Sequence, residues 1–206
     1  MRSDRASKSF GALIALFAIA GLVLQLGILL GAAWAKGQSG WGAVANFFSF
    51  FTILSNLLVA IAFTVPGAFW KGAMARGGVT LYIAVVGLVY ELVLRRLWHP
   101  EGAQLIADLL LHDAVPLLLV AHWLLLRERG GLRWNHPFIW LVYPGAYLVY
   151  ALLRGAFTGW WAYPFIDASV LGYGRVMLHA AGLLVVFVTL GMALVGWDRR
   201  GNPRTI

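Results

Sequence analysis

The sequence predicts an all-α, polytopic membrane protein: a bundle of six transmembrane helices with an outward-facing polar cavity. Three observations predict it. Of 206 residues, 61% are hydrophobic and 12% are charged, about half the charged share of a soluble domain, and the mean hydropathy is +0.80. Six segments, near residues 10–35, 41–65, 79–98, 104–126, 137–153 and 173–197, reach the roughly 17 to 25 apolar residues that cross a bilayer. The ionisable residues inside those segments fall toward one membrane face. Short connections favour antiparallel neighbours within one domain over 1–206.

Taken in order, the first segment follows basic residues and ends in Ala33-Trp-Ala35, which resembles a signal-cleavage site. Its apolar core is far longer than the roughly 7 to 15 residues of a signal peptide, so a retained helix is expected. Gly27 and Gly31 make a small-xxx-small pair suited to helix contact. The fourth segment carries Pro116, which has no N–H for the carbonyl of residue 112 and should bend the helix there. The sequence shows neither an inverted repeat nor a broken helix. With no cysteine, disulfides and thiolate chemistry are excluded.

The net charge of +8 belongs to loops and lipid contacts in such a chain, and no nucleic-acid partner is expected. With the amino terminus inside, the inner segments hold Arg2, Arg5, Lys8, Lys71, Arg76, Arg127, Arg129, Arg133, Arg199, Arg200 and Arg204, against Lys36, Arg95, Arg96, Arg154 and Arg175 outside. The positive-inside rule therefore puts both termini in the cytoplasm and the protein in the cell membrane. All ten tryptophans fall near predicted helix ends or in loops, as an interfacial belt requires.

The second segment holds a polar stripe, Asn46, Ser49, Thr52 and Asn56, at steps of three, three and four. That spacing makes one face of a continuous helix, which must turn to protein or water rather than lipid. Counting in from the outer face, Thr52 lies roughly 16 Å deep, His112 about 12 Å, Glu91 about 10 Å and Asp108 about 6 Å. Arg175 and His179 share the outer end of the sixth helix. Glu91 and Arg95 are four apart and suit an ion pair; Asp108 and His112 are likewise four apart, so the carboxylate can orient the imidazole. Each also has a plainer reading. The hydroxyls can serve helix packing, and Glu91 with Arg95 can be purely structural. His99, His122 and His136 read as interfacial. A metal held by His112, His179, Asp108 and Asp113 lacks ligand spacing, and neither metal nor cofactor is expected.

Phe-Phe-Thr-Ile-Leu-Ser-Asn in the second helix, Leu-Leu-His-Asp-Ala-Val-Pro in the fourth and Gly-Trp-Trp-Ala-Tyr-Pro-Phe after the fifth resemble, in this order, the androgen-induced/ADTRP family and its bacterial branch most closely. The resemblance covers about residues 47–197, including Tyr163-Pro164-Phe165. It implies an intramembrane threonine hydrolase acting on fatty acid esters of hydroxy fatty acids (FAHFA), with Thr52 as nucleophile and His112 as essential histidine. A second histidine preceding the functional one in animal members has no counterpart here. On that reading the partner is a membrane lipid or fatty acid ester, entering sideways between helices. Asn46, Asn56, Arg154 and Arg175 are candidate donors to the tetrahedral intermediate. Two other classes compete: a proton-coupled or small-solute transporter using Glu91, Asp108 and His112, and a non-enzymatic lipid-binding protein.

Overall fold

The computed structural model describes residues 2–65, 67, 72–126 and 129–200, with side chains from residue 7 onward. Lys71, Arg127, Arg204 and Trp70 lie outside the described residues, as do the side chains of Arg2 and Arg5. The described residues are helical with no strand, and five helices are long and apolar enough to cross a membrane, or six spans if one bent pair counts as one. The protein is all-α and multi-pass. Two compact units divide it, Met1–Gly131 and Leu132–Ile206.

The first unit opens with α1 (Arg2–Ala35), beginning eight residues ahead of the expected segment. Where one continuous second helix was expected, two pieces stand: α2 (Gly40–Phe47) and α3 (Phe51–Thr64), bent by 76°. The correction has a local cause. Ser49 donates its hydroxyl to the Ala45 carbonyl at 2.6 Å, and the N–H groups of Ser49 and Phe50 tighten to i−3 carbonyls at Asn46 and Phe47. Phe50 then goes extended (φ −90°, ψ 130°), and a new helix starts at Phe51. Serine offering its hydroxyl to the backbone, within a run of stiff aromatics, competes with helix propagation.

Next come α4 (Ala73–Val89), which widens at its end into a π-helical turn (Tyr90–Leu94), and α5 (Gly102–Leu109), which passes through a second π turn (Leu110–Ala114) into α6 (Val115–Leu126). In the two π turns the Arg95 N–H reaches the Tyr90 carbonyl and the Val115 N–H the Leu110 carbonyl, both i−5. In this wider register the missing N–H of Pro116 also leaves the Leu111 carbonyl, five residues back, without a backbone donor from that position. The core of this unit is apolar and interdigitated, with Ile14 and Ala18 of α1, Val59 of α3, Ile83 of α4, and Leu111 and Val115 buried together.

The second unit contains α7 (His136–Trp140), α8 (Val142–Thr158), a 3₁₀ turn (Pro164–Ile166) and α9 (Ala168–Arg199). Gly159 ends α8 in the left-handed region (φ 69°), the usual stop for a helix. Asp167 caps α9 by accepting the Ser169 and Val170 N–H groups, and α9 kinks at Gly172 (φ 73°). Asp198, buried near the far end of α9, accepts the Leu132 N–H at 2.8 Å.

Three further expectations are corrected. Trp123 and Trp140 are buried in the protein, so they belong to no interfacial belt, whereas Trp34, Trp41, Trp98 and Trp134 are exposed. His136 is also buried, its Nδ1 accepting the Arg133 N–H at 3.2 Å. At Gly27 and Gly31 an added Cβ would meet nothing within 4 Å, so that pair seats no helix here.

Gly87 is the opposite case. A Cβ there would lie 2.9 Å from Pro116 Cβ and 3.2 Å from the His112 carbonyl, a ring and a backbone that cannot step aside. Gly87→Ala should therefore lower stability by about 1–3 kcal/mol through overpacking. Gly27→Ala or Gly31→Ala should be neutral or slightly stabilising in the same thermal melts of detergent-solubilised protein, because alanine is the better helix former.

Candidate functional site

Tyr90, Glu91, Arg95, Asp108, His112 and Asp113 of the first unit meet at the two π turns. π-helical turns inside α-helices often mark functional positions, and these two bring ionisable groups from separate helices together. His112 directs Nδ1 at two acceptors, the Asp108 carboxylate Oδ1 at 3.1 Å and the Asp108 carbonyl at 3.2 Å. Both acceptors call for a proton on Nδ1, which in the neutral ring leaves Nε2 as the nitrogen with the lone pair. Asp108 is 4% exposed. Its other oxygen accepts the Tyr90 hydroxyl, and the Tyr90 ring stacks on the imidazole, centroids 4.1 Å apart and planes 16° apart. Asp108, Tyr90 and His112 thus lock one another.

A second group adjoins the first. Arg95 pairs with Glu91 through two bonds of 2.9 Å from Nε and also with Asp113, while its guanidinium carbon lies 4.8 Å from the Tyr90 ring centroid. The expected Glu91–Arg95 pair is present and has gained a third member. Asp113 Oδ2 is buried with no hydrogen-bond partner among the described residues. No three His, Asp or Glu side chains among the described residues come together as a metal site would need.

The break before α3 sets the place of Thr52. It becomes the second residue of that helix, in its first turn. Thr52 is 7% exposed and Asn56, one turn on, is fully buried. Asn56 Nδ2 donates to the Thr52 carbonyl at 2.9 Å and to the Leu111 carbonyl at 3.1 Å. The second bond replaces the N–H that Pro116 cannot give. It also docks the Thr52 helix on the turn that carries His112.

The expected stripe divides accordingly. Thr52 and Asn56 stay on one buried face of α3, Ser49 is spent on the Ala45 carbonyl in the break, and half-buried Asn46 lies on α2. Arg154, Arg175 and His179 belong to the second unit. There Arg154 lies 4.0 Å over the Trp160 ring, Arg175 is exposed, and exposed His179 donates Nδ1–H to the Phe165 carbonyl at 2.8 Å. His179 so pins the Tyr163-Pro164-Phe165 turn, where the Tyr163 and Phe165 rings stack with centroids 5.1 Å apart. Half-buried His122, read as interfacial, meets Ser7 Oγ at 3.1 Å and stacks on Phe10.

Sequence reasoning passed over Tyr90 and Ser55. A tyrosine deep in an apolar segment needs a partner for its hydroxyl, and Asp108 on the next span was the available acceptor.

The Asn56–Leu111 bond makes a test of its own. Asn56→Leu leaves a buried carbonyl unsatisfied and should cost about 1–3 kcal/mol. Adding Pro116→Ala restores an N–H in reach of that carbonyl, so the double variant should regain part of the loss; strictly additive losses in thermal melts would break the link. Comparison of the chain with protein-family models, with curated proteins and with solved structures returned no match.

Proposed function

We propose that the first unit is an intramembrane hydrolase of lipid esters, with Thr52 as nucleophile and His112 as its base, as in the androgen-induced/ADTRP family that the sequence resembles. The observation that carries this reading is the Asn56 bond to the Leu111 carbonyl, which holds the threonine turn against the histidine turn. A threonine hydroxyl is a poor nucleophile until a base takes its proton. His112, fixed through Nδ1 by Asp108, keeps Nε2 for that task. The Asp108–His112 pair thus has the form of the carboxylate–imidazole couple that orients a general base. Fatty acid esters of hydroxy fatty acids are the proposed substrate class. The proposed setting is the bacterial inner membrane, with both termini cytoplasmic and the site toward the outer face.

Purified protein in detergent tests the chemistry. Thr52→Ala and His112→Ala should each abolish ester hydrolysis while leaving a monodisperse protein, and the double variant should be little worse than either, since residues acting as one unit are non-additive. A fluorophosphonate probe should label Thr52 covalently. Substantial turnover in Thr52→Ala removes the nucleophile.

A transporter of protons or a small polar solute is the second reading, and one observation favours it. The break at 76° is the kind of discontinuous span whose half-helix start binds anionic groups in transporters. Solute or proton uptake into proteoliposomes, undiminished by Thr52→Ala and without fluorophosphonate labelling, would support it over hydrolysis. Orientation is tested separately in the cysteine-free chain. A cysteine at Gln38 should react with an impermeant reagent from outside and one at Gly130 should not; the reverse pattern inverts the protein.

A further inference from the structure

We propose that Ser55 is the hydrogen-bond donor to the oxyanion formed when Thr52 attacks an ester, an inference that rests on the hydrolase reading. Side-chain hydroxyls in the helices of this chain often donate to the carbonyl four residues back: Thr64 to Ala60 at 2.7 Å, Thr80 to Arg76 at 2.9 Å and Thr158 to Arg154 at 2.7 Å. Ser55 departs from that habit. It is 1% exposed, and its Oγ is buried with no hydrogen-bond partner among the described residues. Leaving a hydroxyl unpaired in an apolar interior is costly, which is why such groups point to a ligand.

The position suits the task. Ser55 is three residues beyond Thr52, on the same side of α3, and helical side chains lean toward the amino-terminal turn, here toward Thr52. The other donor on this face is spent, since Asn56 Nδ2 gives its hydrogens to the Thr52 and Leu111 carbonyls. Asn56, an expected oxyanion donor, is thereby reassigned to holding α3 against the His112 turn. The start of α3 adds its positive dipole end at the same place.

In the step proposed, the Thr52 Oγ1–carbonyl carbon bond forms, the Thr52 proton passes to His112 Nε2, and the carbonyl π pair moves onto oxygen, where the Ser55 O–H meets it. Collapse breaks the ester C–O bond, and the departing alkoxide takes the proton from His112. Water, activated by the same imidazole, then cleaves the acyl-threonine and regenerates the hydroxyl.

The test uses full-length protein in detergent with p-nitrophenyl octanoate as probe, comparing Ser55→Ala with the unaltered chain and with Thr52→Ala. An oxyanion donor predicts that Ser55→Ala lowers kcat by about 10²- to 10³-fold, changes KM little, and leaves the melting temperature unchanged or higher because no resting bond is lost. A kcat within about threefold of the unaltered chain, with Thr52→Ala inactive, overturns the Ser55 role and leaves the hydrolase standing. A lower melting temperature in step with lost activity assigns Ser55 to packing and overturns it too. Full turnover by Thr52→Ala, or none by the unaltered chain, removes the hydrolase reading and this role with it.

Discussion

One hydrogen bond decides the arrangement of the first unit: Asn56 Nδ2 to the Leu111 carbonyl. Lipid offers no partner to a backbone carbonyl, so any defect in a spanning helix must be repaired by protein. The π turn at Leu110–Ala114 together with Pro116 makes such a defect, because Val115 bonds Leu110 and the next residue has no N–H. A side-chain amide from α3 supplies what proline lacks. For the bond to form, Asn56 must face the fourth span, and Thr52, one turn earlier, is carried to the same interface. Gly87 admits the other side of the defect, letting Pro116 and the His112 carbonyl approach α4.

Magnitudes separate the two polar groups beside it. Asp108 is nearly sealed from solvent and depends on Tyr90 and His112 for its hydrogen bonds. A buried carboxylate stripped of one such partner loses about 1.5–3 kcal/mol, the value of a hydrogen bond to a charged group. Glu91 and Arg95 are far less enclosed by protein than Asp108. The Asp108–Tyr90–His112 lock is therefore the stiff part of the site, and Glu91–Arg95–Asp113 its adjustable rim. Stacking Tyr90 on the imidazole restricts ring rotation as well, so the direction of Nε2 is set by packing and by hydrogen bonding together.

Much of this was legible in the residues. Length and apolarity marked the spans, and i,i+4 spacing anticipated both Glu91–Arg95 and Asp108–His112, because helical geometry is local. The break at Ser49 and Phe50 was not legible: no glycine or proline marks it, and Ser49 and Asn46 fit a continuous helical stripe as well as they fit a turn. π turns are equally silent, since an added residue per turn leaves composition unchanged. Tyr90 was missed because its role depends on Asp108, eighteen positions away, through a register that the π turns alter. Ser55 was missed for a different reason. Its significance lies in having no partner, and a missing bond is visible only once every neighbouring bond has been assigned.

The break also links the two functional readings. It converts the middle of a span into the start of a helix and puts Thr52 at its second position. A helix start favours negative charge. In a transporter that field would meet a charge the solute already carries, and tight binding of a resting anion would suffice. In a hydrolase it would meet a charge that exists only after attack, so its value lies in the transition state. What distinguishes the cases is a base able to take the hydroxyl proton. An imidazole with Nδ1 directed at two acceptors, on a turn docked against the threonine helix, suits the proposed hydrolase, where charge develops during reaction, more than charge that arrives with a solute. Asn56 holds those two turns together, through the Thr52 and Leu111 carbonyls.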